Sequence, residues 1–182
     1  MTSAAVPHHR IELHLRELAQ LFNSMDPTPF HHKDLDLDAE EFIKSWALEF
    51  PSDSRFQIAI HLDHPPPEGD PSNLVTEAIH NYFAYEAELV RRELARLLWQ
   101  GRISLAIGLC FLASCLVIAD TLGRLAAAGT FLTVVRESLT IGGWVALWRP
   151  LEIFLYDWWP LLRRRRICAN LSRAQVRVTT GP

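Results

Sequence analysis

The sequence predicts an α+β membrane protein, and three patterns support that prediction. In the first third of the chain, two stretches of alternating apolar and polar residues flank an amphipathic helical stretch, which indicates a small βαβ unit. A long amphipathic helix is predicted next. Two apolar stretches follow, of which the first is just long enough and the second clearly long enough to cross a bilayer as a helix, which needs roughly 20 residues. The expected architecture is a cytoplasmic βαβ unit, a long juxtamembrane helix and a two-helix transmembrane hairpin.

The βαβ unit is predicted for residues 1–63. Apolar residues alternate with charged ones in a first strand at 11–16, and residues 56–62 show the clearest alternation in the chain. Strands joined through a helix should be parallel, with a right-handed crossover. Two strands leave two open edges. We therefore expect a third strand at residues 175–179, or the same unit of a second copy, to complete the sheet.

The helix between the two strands is predicted over residues 39–50. Asp38 is a good N-cap, and Glu41 lies at the capping-box position. Leu37 and Phe42 are spaced as a hydrophobic staple. The apolar residues of this helix recur at helical spacing, so they should form one buried stripe.

The rest of the chain divides by composition. A proline-rich linker at residues 64–71 precedes a juxtamembrane helix at 72–100, whose apolar residues follow a helical period. The remaining segments are a first transmembrane helix at 103–119, an external loop at 120–137, a second transmembrane helix at 138–162 and a basic cytoplasmic tail at 163–182.

Charge asymmetry orients the predicted hairpin. Arginines precede the first span and follow the second, whereas each of the two arginines in the loop is offset by an acid. The positive-inside rule therefore predicts a multi-pass protein of the cytoplasmic membrane, with both termini in the cytoplasm. Aromatic and basic side chains at the span ends should anchor them at the membrane interface, and these are Trp99, Trp158, Trp159, Arg163 and Arg164.

Three ionisable residues interrupt the second apolar stretch. Arg149 and Glu152 are three residues apart and can pair on one helical face, and Asp157 follows them. Each ionised group at this depth costs at least about 2.5 kcal/mol, so such groups are functional candidates. Pro150 crowds the carbonyl of Ala146 and should kink the helix. We expect the pair to face a partner helix or a wet crevice.

An alternative boundary leaves the pair at the membrane surface. In that interpretation a span at residues 131–148 ends at the interface, Pro150 breaks the helix, and residues 151–162 lie flat on the membrane. This boundary would place Arg136 and Glu137 in lipid instead.

Small residues four apart predict two faces where helices can approach closely. The first span offers Ser104 and Gly108, and the second offers Gly142 and Ala146. The expected partners are therefore the lipid bilayer and either a second copy of the chain or another membrane protein.

Three strings of the sequence carry a resemblance. Residues 142–152 read GGWVALWRPLE, residues 155–160 read LYDWWP, and residues 21–30 read LFNSMDPTPF. Together they resemble motifs of a family of small bacterial two-span membrane proteins with no known function. The resemblance implies a bacterial cytoplasmic (inner) membrane, and it brings no catalytic or binding residues with it.

The charge distribution excludes one class of partner. Residues 1–63 hold 5 Lys/Arg and 11 Asp/Glu, a net of −6, out of 18 and 21 in the whole chain. An acidic unit argues against nucleic-acid binding, which requires a basic face. Three cysteines are too few for a disulfide framework. Cys168 follows the arginine run, a setting that can lower the pKa of a thiol or suit acylation, but no other feature of the sequence supports a reactive role.

Histidines are the main candidate metal ligands. His31, His32, His61 and His64 lie near aspartates in two predicted loops, but their spacing matches no metal signature. The sequence contains no phosphate-loop, dinucleotide-binding, nucleophile-elbow or zinc-protease motif. We therefore predict no cofactor, no bound metal and no enzymatic activity.

The favoured hypothesis is a non-enzymatic membrane protein that acts as a scaffold, sensor or assembly module. It would associate through its helical hairpin and present an acidic cytoplasmic domain to a partner. One alternative is a homo-oligomeric pore or transport accessory lined by Arg149 and Glu152. A second alternative is a metal-responsive module that uses the histidines.

Overall fold

The computed structural model describes residues 8–23, 34–64, 72–125 and 130–180. Two compact units are present: an α/β unit made of residues 1–91 and 162–182, and a helical unit made of residues 92–161. His31 and His32, the linker apart from His64, and most of the LFNSMDPTPF string lie outside the described residues.

The described elements follow the chain in this order: β1 (His8–Leu15), a 3-10 turn (Leu18–Leu21), α1 (Leu37–Glu49), β2 (Arg55–Leu62), α2 (Ser72–Leu125), α3 (Thr130–Val145), α4 (Trp148–Glu152), a π-helical turn (Ile153–Asp157), α5 (Trp158–Leu171) and β3 (Gln175–Thr180).

The α/β unit contains a three-stranded parallel sheet in the order β1-β2-β3. Ile58 in β2 lies opposite Ile11 in β1 and Val176 in β3. The mixed α+β class and the third strand are therefore confirmed, although β1 begins three residues before its predicted start. The strands contribute alternate residues to a core shared with the helices, which includes Ile11, Leu13, Ile58, Ile60, Ile43, Ala47, Ile79, Phe83, Ile167 and Leu171.

Helix α1 begins two residues earlier than predicted. Asp36 is its N-cap, since the carboxylate of Asp36 accepts a hydrogen bond of 3.1 Å from the backbone N–H of Asp38. The prediction of Asp38 was wrong because the DLDLD run offers three aspartates of similar capping ability. Ile43 is fully buried, but Phe42 and Trp46 each keep about two-fifths of their surface exposed, so only part of the predicted stripe is covered.

Helix α2 joins two predicted helices into one. The juxtamembrane helix at 72–100 and the first span at 103–119 are continuous through Gly101, in a helix of 54 residues that is roughly 80 Å long. It is the one helix among the described residues that is long and apolar enough to cross a membrane. The predicted external loop at 120–137 is largely helical, because α2 extends to Leu125 and α3 begins at Thr130.

The second apolar stretch, residues 138–162, is not one regular helix. Helix α3 ends at Val145, a turn follows at Ala146 and Leu147, and helical bonding resumes where the N–H of Leu151 donates to the carbonyl of Leu147 at 3.2 Å. Pro150 explains the position of this turn, because proline has no N–H to give to the Ala146 carbonyl four residues before it. Within the predicted basic tail at 163–182, the described residues form the end of α5 and then β3, which covers the strand predicted at 175–179.

Candidate functional site

The ionisable residues of the second apolar stretch form an ion cluster, defined here as Arg149, Glu152 and Asp157. The Arg149 Nη1 atom lies 3.2 Å from Glu152 Oε2 and 3.3 Å from Asp157 Oδ2. The indole N–H of Trp148 donates to the other oxygen of Glu152 at 2.8 Å. One cation therefore serves two carboxylates, and the fully ionised cluster carries a formal charge of −1.

The irregular helix brings the members of the ion cluster together. In a regular α-helix, residues 149 and 157 would be separated by about 12 Å along the axis and would point in clearly different directions. The π-helical turn at Ile153–Asp157 lies between them and is wound more loosely than an α-helix. Because of that looser winding, Asp157 comes onto the face of Arg149.

The ion cluster lies at the surface of the helical unit. About 63% of the Arg149 side chain is exposed, as is more than a third of the Glu152 side chain. Large apolar side chains beside the cluster are also exposed, among them Trp148, Leu151 and Leu155. Within the helical unit, Arg149 and Glu152 are thus partly exposed and not enclosed.

A shallow cavity of about 390 Å³ adjoins the cluster. Arg149 lines it together with Ser104 of the first predicted span, and the other lining residues are Ile107, Gly108, Phe111, Ala146 and Pro150. Three of the four predicted helix-contact residues, Ser104, Gly108 and Ala146, therefore meet at this cavity.

Glycines set the distance between helices in the helical unit. A methyl group added at Gly108 would lie 2.9 Å from a Leu147 side-chain carbon and 3.0 Å from the Ala146 carbonyl oxygen. The contact predicted for Gly142 is made by Gly143 instead: a methyl at Gly143 would lie 2.8 Å from Leu112, whereas nothing lies within 4 Å of one at Gly142. Adjacent helical residues point about 100° apart, so only one of the two can face the neighbour.

The predicted interface anchors have different surroundings. Trp99 and Trp159 are largely exposed, and Trp158 donates its indole N–H to the Phe154 carbonyl at 2.8 Å. Arg163 donates to the Leu48 carbonyl at 2.6 Å, at the end of α1. Arg164 lies 3.7 Å from Glu86. Both arginines therefore have partners inside the α/β unit, because α5 continues into that unit.

A lysine network, defined as Glu40, Lys44 and Glu86, is the most buried group of charges among the described residues. The Lys44 ammonium is hydrogen-bonded to Glu40 and lies 2.6 Å from Glu86, and all three side chains are about 85% buried. Burial alone would lower the pKa of Lys44, but its hydrogen bonds to the two carboxylates outweigh burial and raise it. Burial would raise the pKa of Glu40, yet hydrogen bonds from Lys44 and Tyr82 lower it.

Cys168 lies next to the lysine network, in the core of the α/β unit. Burial raises the pKa of its thiol, and the neighbouring charges of both signs do not reverse that effect. The arginine run therefore does not activate this thiol, because the Cys168 side chain points into the core and is 1% exposed. A buried thiol of raised pKa is a packing group.

The histidine predictions separate into three outcomes. His61 lies close to His14 and Glu12 on the exposed face of the sheet. His64 is exposed just beyond β2 and is not part of that group. His31 and His32 fall outside the described residues.

Several residues of these sites were missed in the sequence. Gly101 and Gly143 contact the neighbouring helical segments, and the predicted small-residue pairs did not include them. His14 and Glu12 alternate with buried residues of β1, so the strand period together with the register of β2 could have paired them with His61. No sequence pattern links Glu86 to the lysine network, because its partner Lys44 is 42 residues away along the chain.

Comparison of the chain with models of protein families, with curated proteins and with solved structures found no match.

Proposed function

We propose that this chain is an integral membrane protein that acts by assembly and not by catalysis. Its helical unit would lie in the bilayer, and its α/β unit would lie in the cytoplasm. The observation that carries the proposal is the exposed apolar surface of the helical unit, in which Phe131, Ile107 and Val145 are each at least 65% exposed. In the most apolar 18-residue segment of α2, only 17% of the segment is buried within the structure. Such a surface would drive association in water, whereas lipid would cover it without penalty.

The sheet supports an even number of crossings. β1, β2 and β3 belong to one sheet, so residues 8–62 and 175–180 must lie in the same compartment. A chain that leaves this compartment through α2 therefore has to return before β3. The helical path through α3, α4 and the π-helical turn is the segment available for that return, which favours a hairpin of two crossings.

The ion cluster supports a role in assembly. Its one arginine and two carboxylates lie at the surface of the helical unit, and ionised groups are costly in lipid. A second copy could exchange arginine and carboxylate partners with the first, which would remove both clusters from lipid. The neighbouring exposed residues, Trp148 and Leu151, would pack around such a contact. We therefore favour a homo-oligomer held through this surface.

Membrane insertion can be tested with three reporter fusions. Reporters fused at the N-terminus and at the C-terminus should both lie in the cytoplasm. A reporter inserted within residues 126–129 should lie outside the cell membrane. The chain should also resist alkaline extraction from membranes and dissolve in detergent. A chain that is soluble without detergent, or termini on opposite sides of the membrane, would exclude the proposal.

The assembly role can be tested with Arg149→Ala. Native mass spectrometry of the detergent-solubilised protein should show oligomers for the unmodified chain and a shift toward monomers for the variant. Arg124→Ala is the matched control, because Arg124 pairs with Asp120 at 2.9 Å on the exposed surface of the same unit and should not change the oligomers. Intact assembly with altered ion flux in Arg149→Ala would instead favour a pore.

A further inference from the structure

We infer that the outward face of the sheet holds a binding site for a divalent transition-metal ion of the zinc class. The ligands are Glu12, His14 and His61, and one ligand atom from each lies within 4.8 Å of the other two. This inference is independent of the membrane proposal, because it concerns the α/β unit alone.

The fold places the three side chains together for a simple reason. Glu12 and His14 are two residues apart on β1 and therefore point to the same face of the sheet. His61 of β2 lies directly opposite His14 in the parallel register. The residue opposite Glu12 is Ala59, whose small side chain leaves space for the carboxylate to approach the histidines.

The two imidazoles are held in a defined arrangement. Their rings are stacked with centroids 4.7 Å apart and planes 16° from parallel. The Thr179 hydroxyl of β3 lies 2.8 Å from His61 Nδ1 and donates a long hydrogen bond of 3.4 Å to the Ile60 carbonyl. When the hydroxyl donates to this carbonyl, it accepts from Nδ1–H of His61, and in that tautomer the lone pair of His61 Nε2 is left for a metal.

The donor set selects the class of ion. Two imidazole nitrogens and one carboxylate oxygen are the ligands of catalytic zinc sites and of some iron sites, and they leave coordination positions open for water. Bonds of 2.0–2.2 Å to a tetrahedral ion require ligand atoms roughly 3.3 Å apart. The ligand atoms, now up to 4.8 Å apart, must therefore move closer, and the two imidazoles must rotate out of their stacked arrangement so that both lone pairs point at one ion. Glu12 and His14 are exposed and His61 is half-buried, which leaves room for these rotations. Calcium and magnesium prefer oxygen ligands throughout, and they are disfavoured here.

Neighbouring cations limit the affinity without blocking the site. The Arg10 guanidinium lies 2.9 Å from one carboxylate oxygen of Glu12, and Arg177 lies opposite Ala59 on the other side. A carboxylate has two oxygens, so one can contact Arg10 while the other binds the ion.

The test uses the tag-free full-length protein in detergent, titrated with Co²⁺ and followed by the visible absorption of the bound ion, with Zn²⁺ as competitor. We expect one saturable site per chain that Zn²⁺ displaces. Thr179→Val should weaken binding roughly tenfold, and Thr179→Ser should restore it. His14→Ala and His61→Ala should each weaken binding further.

The controls separate this site from other histidines. His64→Ala is the matched control, because His64 is exposed in the same unit but not in the group, and it should bind as the unmodified chain does. Circular dichroism of every variant without metal should be unchanged, since the three ligands point away from the core. The inference is overturned if no saturable binding occurs, if the His14→Ala/His61→Ala double variant binds normally, or if His31→Ala/His32→Ala abolishes binding.

Discussion

Lys44 should be the charged residue whose loss most destabilises the α/β unit. Lys44→Met would leave Glu40 and Glu86 close together and largely buried without their shared cation. We expect the free energy of unfolding to fall by about 2–3 kcal/mol, between the values for exposed and fully buried ion pairs. Denaturant unfolding of the detergent-solubilised chain, followed by tryptophan fluorescence, measures this difference.

The matched control for that variant is Arg91→Met. Arg91 also pairs with a glutamate, Glu88, at 2.7 Å, but the Arg91 side chain is about 60% exposed. Exposed pairs contribute at most about 1 kcal/mol. Equal losses for the two variants would contradict the assignment of Lys44 as a buried network.

The lysine network should also shape the pH dependence of stability. Because the pKa of Glu40 is lowered in the folded chain, its contribution is full above the ordinary value of 4.5 and is lost as pH falls through the folded pKa. Because the pKa of Lys44 is raised, its contribution is full below 10.5 and is lost as pH rises through the folded pKa.

Unfolding free energies measured from pH 3 to 7 test the acid side of this prediction. Glu40→Gln should lose less stability than the unmodified chain as pH falls below about 4.5, because it lacks the titrating carboxylate. Glu49→Gln, at an exposed position of the same helix, should follow the unmodified chain. Parallel curves for all three proteins would rule out the role given to Glu40.

Single residues explain much of what the sequence could and could not predict. Ile58 and Ile60 alternate with less apolar neighbours, so β2 was predictable from period alone. Asp36 and Asp38 are chemically equivalent caps, and the choice depends on backbone angles that the sequence does not specify. The pairing of Lys44 with Glu86 depends on how two distant helices pack, so it has no local signature.

At the scale of helices, the two glycines Gly108 and Gly142 should respond oppositely to alanine. Gly108→Ala would press a methyl against the Ala146 carbonyl oxygen, which is backbone and cannot rotate away. Overpacking of this kind costs about 1–3 kcal/mol, more than the roughly 1 kcal/mol gained in helix propensity. Gly142→Ala meets nothing within 4 Å and should keep that gain.

Thermal unfolding of the helical unit in detergent measures the transition temperatures of the Gly108→Ala and Gly142→Ala variants. A lower transition temperature for Gly108→Ala and an equal or higher one for Gly142→Ala is the expected result. The reverse order would show that Gly142, as the small-residue spacing predicted, is the contact residue.

Proline in the sequence indicated that a helix is interrupted more reliably than it indicated at which residue the interruption lies. Pro150 predicted an interruption of the second apolar helix. The turn occurs at Ala146 and Leu147, because Pro150 has no N–H to donate to the Ala146 carbonyl. The π-helical turn at Ile153–Asp157 has no comparable sequence signal, so the approach of Asp157 to Arg149 could not be predicted. The predicted boundary between residues 100 and 103 is not a break in α2, and the lack of a side chain at Gly101 serves close packing against Ile153.

At the scale of the whole molecule, the α/β unit should depend on the last strand. Deleting residues 175–182 would remove β3, expose the second edge of β2 and uncover part of the core beside Val176 and Val178. We expect limited proteolysis to cut residues 8–62 much faster in the shortened chain. Deleting only residues 181–182, which lie beyond β3, is the control and should leave protection unchanged. Equal protection in both proteins would show that β3 is dispensable.

The parallel sheet also sets an order of events during translation. Ribosomes add about 5–20 residues per second, and roughly 110 residues separate β2 from β3. A nascent β2 therefore waits on the order of ten seconds for its second neighbour. Only polypeptides that have been synthesised through the entire apolar middle can finish the sheet. Prematurely terminated chains keep an unpaired edge on β2. Chaperones and proteases can recognise that edge and so distinguish these chains from complete ones.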